Sequence, residues 1–401
     1  MRNSVTKLSR WSAVALGFFI PVSVALDNIL LLLATIGWLL GGDHSRKLRE
    51  IRHHPVALAS LSFAAVMTLG LTWSLQPIGA LKESLVEILR FVLLGVLLTI
   101  FSDERTRVRA TYAFLASSVV ILALSYLLWS GLLPAIAGIK GNADYPVVFK
   151  YHITHNILMA IAGGIFLLRA FESHRGFRSI YALLTAVAAF NIFFMVPGRT
   201  GQLAFAAVLL YVAFSRMKWI GIAAASAILA AVAVSAWLLP SSVPHQRAER
   251  AIAEASAWQP DQAQAQTSSI GMRLEFYRNT LAMIGNRPFL GTGTGSFPIA
   301  YGAHVANTTM VVAAHPHNAF LLITAELGMV GLIVLLGLLL VQWQSAARLP
   351  SSTQIVAARS LLIVYIVAGM VSSTFNDHAE GLFFVWASAL LWSGMQPRTT
   401  P

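Results

Sequence analysis

The sequence predicts an all-α polytopic membrane protein with about 12 transmembrane helices. Of the 401 residues, 57% are hydrophobic and only 11% are charged, and the mean hydropathy is +0.71. Soluble domains carry about 25% charged residues, and a membrane-spanning helix needs about 20 mostly apolar residues. Apolar runs of this kind are centred near residues 18, 34, 64, 93, 118, 162, 187, 208, 229, 332, 366 and 388.

The first apolar run follows the basic segment MRNSVTKLSR, which is also how a secretory signal peptide begins. A second run, NILLLLATIGWLL, comes almost at once, and no convincing small-x-small cleavage site separates the two. We therefore expect the first run to be retained as a transmembrane helix. The chain has no cysteine, which excludes disulfides, thiolate catalysis and cysteine-ligated metal.

Basic residues predict the orientation of the helices, because Lys and Arg are retained preferentially in the cytoplasm. With both termini in the cytoplasm, 18 of the 28 Lys and Arg residues fall on the cytoplasmic side. The segments are then residues 1–240 with helices 1–9, residues 241–316 as a long periplasmic loop containing short helices, and residues 317–401 with helices 10–12 and a cytoplasmic tail. The net charge of +12 reflects this topology and some affinity for membrane lipids. It does not indicate nucleic acid.

Polar residues that could do chemistry collect on the predicted periplasmic side. His317 and Asn318 lie at the mouth of helix 10, and Arg199 begins helix 8 in MVPGRTGQLAF. Further candidates for this side are Lys82, Arg90, His155, Arg273 and Arg278. Each has a structural alternative: an arginine can anchor a helix at the interface or lie on a solvated face, and a histidine can simply end a helix.

Two other features of this region have mainly structural interpretations. The glycines of GTGTGS do not follow a strand, so they predict a turn. Glu326 lies nine residues after His317 and therefore on the opposite helix face. We expect its carboxyl group to pair inside the bundle, because an isolated charge in a membrane is costly.

The residue types on this side favour group transfer from a diphosphate donor. Guanidinium groups bind phosphate oxygens bidentately and can stabilise a departing diphosphate, while a neutral imidazole can deprotonate a hydroxyl. No D-x-D pair, G-x-S-x-G elbow or P-loop is present. The spacing of His315 and His317 can chelate metal, but no acidic cluster accompanies it. We therefore predict no metal site and no cofactor.

Three stretches resemble the O-antigen ligase family of bacterial inner membranes: PGRTGQLAF, MRLEFYRNTLAMIGNRPFLGTGTGSF and HNAFLLITAELGMVGL. The resemblance implies transfer of a completed O-antigen chain from undecaprenyl diphosphate to a sugar hydroxyl of lipid A–core. It implies that transfer occurs at the periplasmic face of the Gram-negative inner membrane, without a metal or a nucleotide donor. The family's histidine matches His317, and its two arginines match Arg199 and Arg273. The family often has Trp where this chain has Tyr277.

Three alternatives remain open from the sequence. O-antigen polymerases commonly show an R-x10-G pattern, which none of the predicted periplasmic arginines from Arg199 to Arg287 satisfies. Protein O-oligosaccharyltransferases resemble the same segment but usually have a further C-terminal region. A lipid-linked sugar transporter or flippase would place charges near the bilayer midplane, where we expect only Arg90 and Glu326 to be buried.

Overall fold

The computed structural model describes residues 2–134, 138–238, 243–256, 258–259, 268–308 and 310–396. Over these residues the fold is helical, without a strand. Its α-helices are α1 (Arg2–Phe19), α2 (Val24–Leu40), α3 (His44–His53), α4 (Pro55–Gly70), α5 (Leu81–Ile100), α6 (Glu104–Trp129), α7 (His152–Glu172), α8 (Arg175–Phe190), α9 (Arg199–Leu238), α10 (Val243–Ser256), α11 (Ser269–Asn286), α12 (Phe297–Val305), α13 (Ala319–Ala346), α14 (Ser352–Gly369) and α15 (His378–Trp392).

Seven helical segments of the described chain are long and apolar enough to cross a membrane. They are Pro55–Trp73, Glu104–Trp129, His152–Glu172, Arg175–Met195, Arg199–Ser235, Ala319–Ala346 and Ser352–Gly369. The bent pair α2 and α3, which meet at 115°, makes eight if it is counted as one span. All twelve predicted centres lie within α-helices, two of them in α9. The helical, multi-pass character is confirmed, whereas the number of about twelve spans and their orientation remain predictions.

The most deeply buried helix is α15. Almost every residue from Ala379 to Leu390 is buried, and the indole of Trp386 donates to the carbonyl oxygen of Ala13 in α1 at 2.9 Å. Gly17 lies against the same indole, where a Cβ atom would be 2.7 Å from the ring. A helix that is apolar on all faces is stable only when surrounded by other elements. Accordingly α5, α7 and α14 also pack around α15.

Helix α13 is broken at Gly328, which has a φ of 63°. The segment 288–296 fills the break: the amides of Thr292 and Gly293 donate to the carbonyls of Ala325 and Glu326 at 3.0 and 2.7 Å. A helix break leaves backbone carbonyls without intrahelical partners, and inside a membrane protein these must be satisfied by other protein groups. The segment 288–296 therefore supplies the hydrogen-bond donors that the carbonyls at the break in α13 require.

This arrangement confirms two expectations from the sequence. Gly291, Gly293 and Gly295 all have positive φ, as a tight turn requires. The carboxyl group of Glu326 is buried and accepts from the backbone amide of Phe297 at 3.2 Å. Glu326 thus pairs inside the bundle with a main-chain N–H donor. An apolar neighbour could not satisfy its carboxyl group.

Candidate active site

Several predicted site residues, among them His155, Arg199 and His317, lie at the end of the bundle where α7, α9, α13 and α15 begin and α14 ends. We call this the site end of the bundle. Asn156 in the second turn of α7 donates to the carbonyl of Val196, just before α9. Asn318, which precedes α13, donates to the carbonyl of Met370, just after α14. The ends of these helices are thus joined by direct hydrogen bonds.

Arg199 is placed at the site end by two glycines. The motif Pro197-Gly198-Arg199 follows a short π-helical segment, Asn191–Met195, and Arg199 is the first residue of α9. A Cβ atom on Gly198 would come within 2.5 Å of the Asn156 amide nitrogen, and one on Gly201 would overlap Asn156. Only glycine lets the first turn of α9 approach α7 this closely. Arg199 itself is half-buried.

Arg273 projects from α11, which is the helix of the long loop that packs on α13. The Ser268 hydroxyl caps α11 by accepting from the amide of Gly271 at 2.9 Å. Burial lowers the pKa of Arg273, with nearby Tyr277 opposing the change and the positive charge of Arg199 adding to it. Two guanidinium groups from distant parts of the chain are therefore near enough for their charges to interact, and we call Arg199 and Arg273 the arginine pair.

No carboxylate of the described residues neutralises the arginine pair. Within the part of the chain that the structure describes, neither arginine forms an ion pair with Asp or Glu. Half-buried like charges repel each other and lose hydration, which is unfavourable unless an anion compensates them. The pair is therefore suited to binding a multiply charged anion.

His317 completes the group. Its ring stacks on Phe276 of α11, with centroids 6.1 Å apart, and meets the ring of His315 edge-on at 4.4 Å. Burial, and after it the charges of His315 and Arg273, lower the pKa of His317 to about 4. The imidazole is consequently neutral at pH 7. Its Nδ1 atom is buried and has no hydrogen-bond partner among the described residues.

The backbone at His317 is held by its neighbours. The Tyr277 hydroxyl lies 3.2 Å from the carbonyl oxygens of both His317 and Met370, and can donate to either. The amide of Ala319 donates to the carbonyl of Ser372 at 3.1 Å. Three segments, α11, the start of α13 and the 370–377 loop, therefore fix the position of the imidazole.

Asn318 is already committed to the protein. Its Oδ1 atom caps α13 by accepting from the amides of Phe320 and Leu321, both at 3.0 Å, and its Nδ2 atom donates to Met370 at 2.9 Å. These contacts give Asn318 a structural role, and its substrate-binding role remains a prediction. Asn318 caps α13 and joins its start to the residue after α14. It therefore helps to fix the position of the adjacent residue, His317.

Two further residues predicted to bind substrate, His155 and Arg278, have protein partners, and their substrate-binding roles stay predictions. His155 is 4% exposed and its Nε2 atom lies 2.9 Å from Oδ1 of Asn191, so it joins α7 to the π-helical segment. Arg278 forms an ion pair with the buried carboxylate of Glu275, one turn earlier in α11, at 3.2 Å. Both residues satisfy polar partners within the fold.

Lys82 and Arg90 both lie on α5, but they differ in exposure and in contacts. Lys82 is exposed in the first turn, and its substrate-binding role remains a prediction. Arg90 is 7% exposed and donates to the carbonyls of Asn376 and Asp377 at 3.1 and 3.3 Å. Arg90 therefore supports the 370–377 loop through that loop's backbone, and its substrate-binding role stays a prediction.

Arg90 belongs to a buried polar cluster that the sequence did not predict. His378 lies 3.3 Å from Arg90 and 2.9 Å from the carboxylate of Asp27, which is completely buried in α2. Glu380 is buried as well and accepts from the hydroxyl of Thr154 at 2.6 Å. The expectation that only Arg90 and Glu326 are buried charges is therefore wrong. The sequence signal for this buried cluster is a single acidic residue within an apolar run, such as Asp27.

A comparison with protein families covers most of these site residues. Residues 184–336 match the O-antigen ligase family. The resemblance of the sequence motifs is confirmed for this O-antigen ligase segment, which runs from α8 into α13 and contains Arg199, Arg273 and His317. The match indicates an enzyme of the O-antigen ligase or polymerase type, with glycosyltransferase chemistry. No curated protein matches the chain.

Proposed function

We propose that this protein transfers O-antigen polysaccharide from undecaprenyl diphosphate to a sugar hydroxyl of lipid A–core, at the periplasmic face of the inner membrane. In this reaction the arginine pair binds the diphosphate, and His317 takes the proton from the attacking hydroxyl. The bond between the glycan and the diphosphate breaks as the new glycosidic bond forms. The diphosphate leaves with its added negative charge against Arg199 and Arg273.

The observation that carries the proposal is that the arginine pair has no neutralising carboxylate among the residues that the structure describes. A diphosphate leaving group gains charge in the transition state, and fixed positive groups stabilise it most where water is partly excluded. Because two half-buried guanidinium groups can supply that charge, the reaction does not require a divalent metal for this step.

The position and ionisation of His317 support its role as general base. The low pKa of the ring keeps it neutral at pH 7, so it can accept a proton. The φ of 55° is rarely adopted by residues other than glycine, and it is maintained here by the contacts of Tyr277 and Asn318. Backbone strain of this kind concentrates at functional sites.

Transfer with purified components tests the proposal. The full-length protein is mixed with lipid-linked O-antigen, lipid A–core and EDTA. Glycan on lipid A–core is the expected product. A longer lipid-linked glycan would instead identify a polymerase, and transfer to a protein acceptor would identify an oligosaccharyltransferase. Movement of lipid-linked sugar across a reconstituted bilayer, with no transfer to any acceptor, would identify a transporter.

A further inference from the structure

A cavity lies at the end of the bundle opposite to the site end. It has a volume of about 380 Å³ and is enclosed by α6, α7, α9, α14 and α15. This volume is within the usual range of about 300–1,000 Å³ for ligand-binding cavities. Its inner wall is apolar and includes Phe114, Leu168, Val208, Leu361 and Phe383.

The mouth of this cavity is polar and lies where α7 ends and α14 begins. Arg107, Arg169, Ser351, Thr353 and Gln354 line it. Ser351 is the N-cap of α14, so the first amides of that helix face the same region. A helix N-terminus with nearby guanidinium and hydroxyl groups is a favourable environment for a phosphate.

The charges at the mouth leave room for one anion. Glu104 and Glu172 also line the cavity, but Glu172 is paired with Arg216 at 2.8 Å, and Arg216 also donates to Thr353. Arg107 donates to the carbonyls of Phe101 and Ser102, both at 2.9 Å, and the carboxylates of Glu104 and Asp103 act on its charge. Among the described residues Arg169 forms no ion pair with Asp or Glu, so its charge is available to the single negative charge of a phosphodiester.

Two buried polar atoms in the wall of the cavity have no hydrogen-bond partner among the described residues. They are the hydroxyl oxygen of Ser360, in a side chain that is 7% exposed, and Oε1 of Gln354 near the mouth. Buried polar atoms are nearly always hydrogen-bonded, so an unpaired one calls for a ligand or water. Their place between the charged mouth and the apolar wall corresponds to the ester and glycerol region of a lipid.

From these observations we propose that the cavity binds one anionic glycerophospholipid. The phosphate lies at Arg169 and the start of α14, the glycerol region at Gln354 and Ser360, and an acyl chain along Phe114, Leu361 and Phe383. With the orientation predicted from the basic residues, this lipid comes from the cytoplasmic leaflet. The site is separate from the diphosphate site, since α14 spans about 27 Å between the two at 1.5 Å per residue.

Native mass spectrometry of the full-length protein in detergent tests this assignment. Phosphatidylglycerol and phosphatidylcholine of the same acyl chains are added separately, and the retained lipid is counted. We expect one phosphatidylglycerol per chain and weaker retention of phosphatidylcholine. Arg169→Gln should weaken retention of phosphatidylglycerol about tenfold, because a charge-assisted contact is lost, and should remove the preference between the two lipids. Ala357→Leu should reduce retention of both by filling the cavity.

Matched variants and soluble probes complete the experiment. Arg175→Gln, at an exposed arginine of the same end, and Ala224→Leu, on an exposed face of α9, should leave retention unchanged. Equal retention by wild type and Arg169→Gln would overturn the proposal, whether or not Ala357→Leu folds. It would also be overturned if inorganic phosphate or glycerophosphate displaced the lipid, because the site would then recognise a soluble anion.

Discussion

His317 combines a strained backbone with an unsatisfied ring nitrogen. Its φ of 55° costs roughly 1–3 kcal/mol for a residue with a side chain, and its Nδ1 atom is buried without a partner among the described residues. A residue that served only to begin α13 would need neither feature, because Asn318 already provides the cap. The imidazole is therefore the group for which this conformation is maintained.

Replacement of His317 is expected to remove general-base catalysis while donor binding remains. General bases contribute about 10²–10⁴-fold to rate, so His317→Ala should lower the transfer rate by that factor. Binding of the lipid-linked donor, measured separately, should change little, because the arginine pair is intact. A near-normal rate for His317→Gln would move the base elsewhere, and His315 would be the next residue to replace.

The pH profile of the wild-type enzyme is expected to show a displaced acid limb. An exposed imidazole would give a fall in rate near its ordinary pKa of about 6.5. Burial, together with the charges of His315 and Arg273, lowers the pKa of His317 to about 4. Because the neutral ring is the active form, the rate should persist well below pH 6.5 and fall only as the ring becomes protonated. A fall in the transfer rate centred at pH 6.5 would show that the ring of His317 is exposed in the working enzyme.

Each member of the arginine pair is expected to be necessary for transfer. Removing one partner of a buried charged contact costs about 2–5 kcal/mol, so Arg199→Ala and Arg273→Ala should each nearly abolish activity. Lysine should restore activity only in part, since it lacks the planar fork of a guanidinium. Arg250→Ala, elsewhere in the long loop, is the control. Full activity of correctly inserted Arg199→Ala would exclude it from the site.

At the scale of elements, the contact between α7 and α9 sets the position of Arg199. A side chain on Gly201 would overlap Asn156 of α7, which is completely buried. Gly201→Ala should therefore push the start of α9 away and destabilise the protein by about 1–3 kcal/mol, seen as a lower melting temperature and reduced transfer. Gly337→Ala in α13 meets nothing within 4 Å and should be neutral or stabilising. Equal melting temperatures would argue against a close helix contact.

The junction of α11, α13 and the 370–377 loop depends on Tyr277. Tyr277→Phe removes the hydroxyl that lies 3.2 Å from His317 and Met370 while keeping the ring. We expect a lower turnover number with little change in the Michaelis constant for the donor, because the imidazole loses its fixed position while the arginine pair is unchanged. Tyr211→Phe in α9 serves as a control. If the Michaelis constant rises and turnover is unaffected, Tyr277 binds substrate instead.

For the whole molecule, transfer is expected to proceed without a divalent metal. Among the described residues, no group of three or more His, Asp or Glu side chains is arranged to hold a metal ion, and the arginine pair can neutralise the diphosphate. EDTA should therefore leave the rate of transfer unchanged. Loss of activity in EDTA that returns on addition of Mg²⁺ or Mn²⁺ would contradict this expectation.

The sequence by itself determined the fold class and the three central residues of the candidate site. In a membrane every backbone group must be satisfied within the protein, so long apolar runs are read directly as helices. The charges of the connecting segments then predicted that Arg199, Arg273 and His317 share one side, and the structure brings them together. Their residue types indicated phosphate binding and proton transfer without any knowledge of packing.

Only the tertiary structure decided which polar residues are available to a substrate. His155, Arg278 and Asn318 are polar residues at the site end that could bind a substrate. Each already has a protein partner. Elsewhere in the bundle such partners are hundreds of residues apart in the chain, as Asp27 and His378 are. Helix packing decides which residues meet. A hydrogen bond depends on distances of a few tenths of an ångström. Hydropathy and charge patterns locate a residue only to within a helical turn or two.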